Sequence, residues 1–137
     1  MTTFESDIRY IEAPVIRVYT LLSDLNNLER VKNKIPEDKI KNMECDTDSC
    51  RFSIDPVGPI EIRIIEREKP KTIKFGSEKS PVDFFLWIQL LPVDPEKTKI
   101  KLTLKADLNP FIKGMISKHL QDGINKLAEV LATLPYE

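Results

Sequence analysis

The clearest pattern along the chain is an alternation of polar and hydrophobic residues, and it is strictest in residues 97–107, "KTKIKLTLKAD". Lysines occupy one side of this segment, whereas Ile100, Leu102 and Leu104 occupy the other. A period of two residues is typical of a β-strand with one face in water. The segment is therefore predicted to be a strand whose apolar face borders either a filled core or a cavity.

Similar patterns predict six further strands, in residues 3–12, 39–45, 50–55, 60–68, 71–78 and 82–91. The segment 82–91 is apolar on nearly both faces. Only short turns separate the last six strands, and connections of this length favour antiparallel neighbours. We therefore expect a meandering antiparallel sheet.

Helical spacing replaces the alternation in two regions. A short helix is predicted after Ala13-Pro14, because proline fits a first helical turn, and a second short helix is predicted from about residue 25 to residue 33. The apolar side of the first helix consists of Val15, Val18, Tyr19 and Leu22. Near the C-terminus, Asn109 is a favourable N-cap and Pro110 a favourable first residue of a helix that runs to about Leu134.

The order of these elements is strand, two short helices, six strands and one long helix, which is an α+β arrangement. The opening "FESDIRYIEAPVIRVYTLLSDLNNLERV" and the stretch "SPVDFFLWIQLLPVDPEKTKIKLTLKADL" before the last helix resemble the START-like helix-grip superfamily (SRPBCC), which includes polyketide cyclases and lipid-transfer domains. The resemblance implies one domain over residues 1–137, with a curved seven-stranded antiparallel sheet wrapped around the long C-terminal helix and two short helices between strands one and two. It also implies an apolar cavity between the sheet and that helix.

The residues of the inner face are the candidate ligand contacts in this topology, and Phe4 and Ile8 are expected on the same face. A small hydrophobic molecule, such as a lipid, an isoprenoid, a quinone or an aromatic metabolite, is the expected partner. The expected ligand-binding residues are Tyr10, Met43, Phe52, Ile62, Phe75, Phe84, Leu86, Leu102, Ile116, His119, Leu120 and Gly123. Gly123 lies within the apolar stripe of the last helix, where a glycine costs roughly 1 kcal/mol relative to alanine. Its presence is explained either by close packing of the helix on the sheet or by room left for a ligand.

An enzyme of the cyclase or dehydratase type is the alternative function, and it requires polar groups inside the cavity. The expected inner polar groups are Ser6, Tyr10, Ser53, Glu66 and His119. Histidine is the commonest general acid or base, but no nucleophile or orienting carboxylate is tied to His119 by spacing. No catalytic residue is therefore assigned, and a non-enzymatic binder is favoured. Zinc, phosphate-loop and dinucleotide motifs are not found in the sequence, so neither a metal site nor a cofactor is expected.

Two cysteines flank the predicted hairpin turn at residues 46–49. Cys45 and Cys50 are expected to face each other on the inner face as a non-hydrogen-bonded pair, with Cα atoms about 4.5 Å apart. That separation permits a disulfide. Because two cysteines do not make a secreted disulfide framework, a reducing compartment and two free thiols are expected. A redox-labile disulfide is the alternative.

Two aromatic residues, Phe85 and Trp87, are expected on the outer face of the sheet, which they share with Gln89. Lysine side chains could cover the two rings through cation–π contacts. Alternatively, the rings form a homodimer or partner surface, and the protein is an interaction module with a filled core. On the same face, Glu5 is expected near Lys101 if the first and last strands are neighbours.

The composition narrows the partners and the location. The formal net charge is -1, whereas nucleic-acid-binding proteins usually carry a basic face, so no nucleic-acid partner is expected. No apolar stretch approaches the ~18 residues of a membrane span. The opening "MTTFESDIRY" lacks the basic start and apolar run of a signal peptide. A cytoplasmic protein without an integral membrane segment is therefore expected.

Overall fold

One antiparallel sheet dominates the computed structural model. The model describes residues 1–30, 40–54, 58–78, 80 and 82–136. For residues 29, 30, 40 and 54 it describes the backbone only. In this part of the chain the strands are β1 (Thr2–Glu5), β2 (Arg9–Ile11), β3 (Ile40–Cys45), β4 (Ser49–Ile54), β5 (Gly58–Glu68), β6 (Thr72–Ser77), β7 (Phe84–Asp94) and β8 (Lys97–Ala106). The helices are α1 (Val15–Leu22), α2 (Asn26–Arg30) and α3 (Pro110–Ala132). Residues 31–33, the predicted end of the second helix, lie outside the described residues.

The strands are ordered β1-β8-β7-β6-β5-β4-β3, and β2 also pairs with β8. All of these pairings are antiparallel. The predicted α+β helix-grip architecture is confirmed, because β3 to β8 form a meander and the first strand pairs with the last. Glu5 and Lys101 form the expected ion pair across that junction, at 2.9 Å. Within the described residues the sheet has eight strands rather than seven, since the first strand is divided into β1 and β2.

A bulge divides the first strand and reverses its inward face. Glu5 lies opposite Thr103 and Arg9 lies opposite Ile100, so three residues of the first strand stand opposite two of β8. Because successive side chains alternate between the faces, one extra residue shifts every later side chain to the other face. The inward positions are therefore even-numbered before the bulge and odd-numbered after it.

The prediction that Ile8 and Tyr10 lie on the inner face is wrong for this reason. Tyr10 lies opposite Lys99 on the outer face and is 52% exposed. Ile8 is exposed as well, and Ile11 is the buried residue of β2. The feature of the sequence that marks this bulge is the polar pair Ser6-Asp7, which interrupts the alternation.

A second bulge, in β5, corrects the placement of another polar residue. Ile64 lies opposite Phe75, but the next pair is Glu66 with Lys74, so the residue between them has no direct partner. Glu66 therefore lies on the outer face with Lys74, and its predicted inner placement is wrong. Ser53 also lies on the outer face, because it is one position from an inward-facing phenylalanine.

The long helix α3 begins and ends close to the predicted residues. The side-chain oxygen of Asn109 accepts a hydrogen bond from the backbone N–H of Ile112 at 2.9 Å, and Pro110 is the first helical residue. An N-cap of this kind is worth about 1 kcal/mol. The helix ends at Ala132, shortly before the predicted Leu134.

One side of α3 is fixed to the edge of the sheet. Gln121 Nε2 donates to the backbone carbonyl of Glu5 at 2.8 Å, and the backbone N–H of Asp7 donates to Asn125 Oδ1 at 2.9 Å. The helix also packs on β8. Gly123 is two residues from both Gln121 and Asn125, which places it about 160–200° around the helix from them. Gly123 therefore belongs to the side of α3 that is turned away from this edge.

Candidate ligand-binding site

The inner face of the sheet is apolar, and its residues differ in their access to solvent. Ile62, Phe75 and Leu102 are buried and belong to the core that α3 covers. A second group of apolar residues is only half-buried: Met43, Phe52, Phe84 and Leu86 on the sheet, and Leu120 and Leu127 on α3. Since half-buried apolar side chains lie on both the sheet and the helix, we call this region the concave surface. It is continuous with the packed core.

Gly123 marks open space beside α3. A Cβ atom built at Gly123 would meet no atom within 4 Å, although the residue is half-buried. Close packing of the helix on the sheet would bring neighbouring atoms into contact there. Of the two explanations for this glycine, the geometry favours room beside the helix.

Helix α1 crosses one end of the concave surface. At the start of α1, the Thr98 hydroxyl on β8 donates to the carbonyl of Ala13 at 2.8 Å. At its other end, the Arg67 guanidinium on β5 donates to the carbonyl of Ser23 at 2.9 Å and to Asp48 Oδ1 at 2.7 Å. Because its two ends are held by β8 and β5, α1 closes this end of the concave surface. Arg67 is not among the predicted site residues, because it is one of several charged residues in an alternating strand.

Small hydroxyl groups on the inner face are engaged in backbone hydrogen bonds. The Ser6 hydroxyl accepts from the N–H of Leu102 at 2.8 Å, where it holds the bulge of the first strand. The Ser77 hydroxyl accepts from the N–H of Phe84 at 3.0 Å. Together with Thr98, these hydroxyls stabilise the sheet and its connections.

His119 lies on α3 at the border of the concave surface. It is three residues from Ile116 and four from Gly123, so the three residues share one side of the helix. His119 is exposed. Within the described part of the chain its ring forms no hydrogen bond or ion pair, so no acid–base pair is assembled around it.

Cys45 and Cys50 lie directly opposite each other, as predicted, with Cα atoms 4.1 Å apart. They are joined by a disulfide, which corrects the expectation of two free thiols. Cys50 is buried and lies opposite Ile62 on the inner face. The link therefore connects β3 and β4 at the side of the concave surface.

The turn between these cysteines is organised by one carboxylate. Asp46 Oδ1 accepts hydrogen bonds from the N–H of Asp48 at 3.0 Å, from the N–H of Ser49 at 2.8 Å and from the Ser49 hydroxyl at 2.9 Å. These bonds hold the pKa of the Asp46 carboxyl below its ordinary value of 3.8, and the bond from the N–H of Asp48 has the largest effect.

The outer aromatic residues are covered by lysines. Lys74 Nζ lies 4.8 Å from the ring centroid of Phe85 and 5.1 Å from that of Trp87, and Lys105 Nζ lies 5.6 Å from Trp87. The two rings are 6.0 Å apart. The cation–π alternative is thus observed, and both rings are half-buried.

Tyr10, one of the expected ligand contacts, lies at a different place on the molecule. It lines a surface cleft of about 250 Å³ with Glu12 and Tyr136, where β2 meets the end of the chain. Lys97 Nζ lies 5.3 Å from its ring. The Tyr136 hydroxyl donates to the carbonyl of Leu131, and burial raises the pKa of this phenol. Tyr10 is therefore not part of the concave surface.

The described residues contain neither a metal-binding cluster nor a membrane-spanning helix. No group of three or more His, Cys, Asp or Glu side chains suited to a metal ion is found there. Among the described helices, none is both long enough and apolar enough to cross a bilayer.

Comparisons with known proteins agree on the fold. No protein-family model matches the sequence, and no curated protein is similar to it at a significant level. A point mutant of norcoclaurine synthase from Thalictrum flavum, solved with a transition-state analogue, gives a TM-score of 0.77 at 12% identity and covers 96% of this chain and 91% of its own. The same enzyme has been solved with dopamine and hydroxybenzaldehyde.

Two other solved structures have the same architecture. A START superfamily protein from Mycobacterium smegmatis gives a TM-score of 0.72 at 12% identity and covers 95% of this chain and 94% of its own. The di-domain ARO/CYC protein BexL from the BE-7585A biosynthetic pathway gives 0.72 at 19% identity and covers 96% of this chain and 45% of its own. At these identities the comparison concerns the fold, and the predicted resemblance to START-like helix-grip proteins is confirmed at that level.

Proposed function

We propose that this protein binds a small hydrophobic molecule at the concave surface, between the sheet and α3, and acts as a carrier rather than an enzyme. The observation that carries the proposal is the open space at Gly123, because a well-packed core leaves few voids. Half-buried apolar residues on the facing sheet would remain in contact with water unless a ligand covered them. Each ~100 Å² of apolar surface that a ligand removes from water contributes about 2.5 kcal/mol.

The proposed ligand contacts are the predicted residues without Tyr10. The accessible ones are Met43, Phe52, Phe84, Leu86, His119, Leu120 and Gly123, whereas Ile62, Phe75, Leu102 and Ile116 are buried. Norcoclaurine synthase, which has the same fold, holds small aromatic molecules in its solved complexes. Among the proposed lipid, isoprenoid, quinone and aromatic classes, this likeness supports a small aromatic molecule.

A pair of glycine substitutions tests the proposal. Gly123→Leu would fill the open space beside α3. Gly114→Leu is the matched control, because a Cβ atom at Gly114 also meets nothing within 4 Å but the residue lies on the exposed side of the same helix. We expect Gly123→Leu to weaken binding of the neutral dye Nile red at least about 10-fold, since losing ~60 Å² of apolar contact costs about 1.5 kcal/mol. Gly114→Leu should bind like the wild type, and equal binding by both variants would contradict the proposal.

Native mass spectrometry supplies an independent measurement. Gently purified protein should carry an adduct that disappears on delipidation, and the mass of the adduct would narrow the ligand class. A protein that carries no adduct and takes up neither a fatty alcohol nor a quinone would refute the carrier function.

The cyclase or dehydratase alternative depends on polar groups that face the ligand. Tyr10, Ser53 and Glu66 lie on the outer face, and the Ser6 hydroxyl is engaged by backbone groups. Of the five polar groups predicted for the inner face, His119 remains near the proposed ligand. Binding is therefore preferred over catalysis as the proposed activity.

Self-association through Phe85 and Trp87 is a second proposal, supported by an extension of the apolar surface. Ile65 is 50% exposed and lies beside Gly76, with Phe85 on the other side of the same glycine. Light scattering at low micromolar concentration would test it. Trp87→Lys should abolish a dimer, whereas Leu91→Lys, on the same strand, should not; a monomeric wild type would exclude the proposal.

A cytoplasmic location remains a prediction from the sequence, and the disulfide gives a reason to test it. Disulfides are rare in compartments that keep thiols reduced. Alkylation of Cys45 and Cys50 in intact cells would distinguish the two cases, because free thiols react and a disulfide does not.

A further inference from the structure

Tyr19 is a nearly buried tyrosine that α1 holds over the inner face of the sheet. It is 5% exposed and belongs to the same core as the inward-facing residues of β5 to β8. Helix α1 crosses from β8, where Thr98 binds Ala13, to β5, where Arg67 binds Ser23. Tyr19 lies between these two attachment points, at the closed end of the concave surface.

The hydroxyl group of Tyr19 has no hydrogen-bond partner among the described residues. Within the same residues, the one side-chain polar atom that is both fully enclosed and unpartnered is Arg9 Nε. The Tyr19 hydroxyl is not such an atom, although the residue as a whole is only 5% exposed. Buried tyrosines usually place this hydroxyl against a partner. Tyr136 follows that rule, since its hydroxyl donates to the carbonyl of Leu131.

Two arginines lie near the inner face, and both have acidic partners among the described residues, although Arg9 Nε itself is unpartnered. Arg67 binds Ser23 and Asp48. Arg9 reaches Glu129, with 4.0 Å between Nη2 and Oε2. Glu129 is six residues after Gly123, which turns it about 120° around α3. An ionised ligand group at the concave surface would therefore lose its hydration without gaining a free opposite charge from these two arginines, which is costly.

We infer that the Tyr19 hydroxyl is the polar contact of the bound molecule and that this molecule presents a neutral oxygen acceptor, such as a ketone, quinone or ester carbonyl, to it. The inference rests on the proposed binding function. The apolar body of the ligand lies along the concave surface and its oxygen accepts the hydrogen bond from Tyr19 at the closed end. A carboxylate of the same shape binds more weakly, because Arg9 and Arg67 already have carboxylate partners among the described residues.

Three ligands of nearly equal shape test this inference. They are 2-acetylnaphthalene, 2-isopropenylnaphthalene and 2-naphthoate. They differ in carrying a neutral carbonyl, no oxygen and a charge, respectively. Their dissociation constants are measured at neutral pH for the wild type and for Tyr19→Phe, which removes only the hydroxyl. Tyr136→Phe is the control, because it removes a tyrosine hydroxyl that is bound within the protein.

We expect Tyr19→Phe to weaken the binding of acetylnaphthalene roughly 2- to 10-fold, the range of one neutral hydrogen bond. The affinity for isopropenylnaphthalene should not change. Tyr136→Phe should leave the ratio of the two affinities unchanged. Naphthoate should bind the wild type at least about 10-fold more weakly than acetylnaphthalene. If Tyr19→Phe affects both neutral ligands equally or neither of them, or if naphthoate binds best, the inference is overturned while the carrier function stands. If the wild type binds none of the three, both are overturned.

Discussion

Whether Gly123→Ala raises or lowers the free energy of unfolding distinguishes a filled core from a cavity. If α3 packed closely on the sheet at this residue, the added methyl group would overfill the contact and cost about 1–3 kcal/mol. The structure instead leaves no atom within 4 Å of the added Cβ. The methyl group is then accommodated without strain, and what remains is the effect on the helix itself.

That effect is stabilising, and its size follows from the position of the residue. Gly123 lies well inside α3, where alanine is favoured over glycine by about 0.5–1 kcal/mol because glycine loses more backbone freedom on folding. An unfolding entropy near ~2.1 cal/mol/K per residue over the 137 residues converts about 1 kcal/mol into roughly 3 °C of melting temperature. We therefore expect Gly123→Ala to raise Tm by about 2–3 °C.

Thermal unfolding followed by circular dichroism, with chemical denaturation as a check, measures this change. Gly114→Ala should give a similar increase, because it has the same helical setting and the same free space. Gly58→Ala should do the opposite and destabilise by about 1–3 kcal/mol, since Gly58 has φ of +102°, a conformation that other residues rarely adopt. Destabilisation by Gly123→Ala, with Gly114→Ala stabilising, would refute the open space and with it the main support for a ligand.

Three further predictions concern the disulfide and two titratable groups. Reducing the Cys45–Cys50 disulfide, which links residues separated by five positions, should lower the free energy of unfolding by about 2 kcal/mol, and denaturation with and without reductant measures it. Because burial raises the pKa of Tyr136, its protonated phenol contributes stability that is complete below pH ~10 and is lost above it, as the unfolded chain releases the proton first. Urea titrations at increasing pH should show this loss in the wild type and not in Tyr136→Phe. Because hydrogen bonds lower the pKa of Asp46, the stability advantage of the wild type over Asp46→Asn should be complete above pH 3.8 and shrink as the pH falls through the lowered pKa. An advantage that stays constant down to the acid transition would contradict this account.

The local patterns of the sequence determined most of the elements. The two-residue alternation of "KTKIKLTLKAD" predicted β8, which spans Lys97–Ala106, and Asn109 with Pro110 predicted the start of α3. Both signals act over a few residues, through the side on which a strand residue points and through the orphan N–H groups of a first helical turn. The short turns between strands predicted an antiparallel meander, because parallel neighbours need longer connections. Elements and their order could therefore be read without knowledge of any distant contact.

The face of the sheet on which a residue lies was harder to predict from the sequence, because it depends on the register of a whole strand pair. Alternation counted from Phe4 predicts that Tyr10 lies on the inner face, whereas the extra residue near Ser6 places it on the outer face. Glu66 was misplaced by the bulge in β5 for the same reason. A bulge is decided by the partner strand and by hydrogen bonds such as that between Ser6 and Leu102, and a single strand's alternation does not reveal it.

The sequence by itself determined that a large apolar face exists and that Gly123 lies within the helix that covers it. Only the tertiary structure decided how this face is used. The space beside Gly123, the closure of one end by α1 and the burial of Tyr19 without a hydroxyl partner among the described residues each depend on atoms brought together from distant parts of the chain. Hydrophobic periodicity specifies which side of an element leaves water, because that choice is local. It does not specify whether the opposite wall comes near enough to fill the space, because that distance is set by the packing of all the elements together.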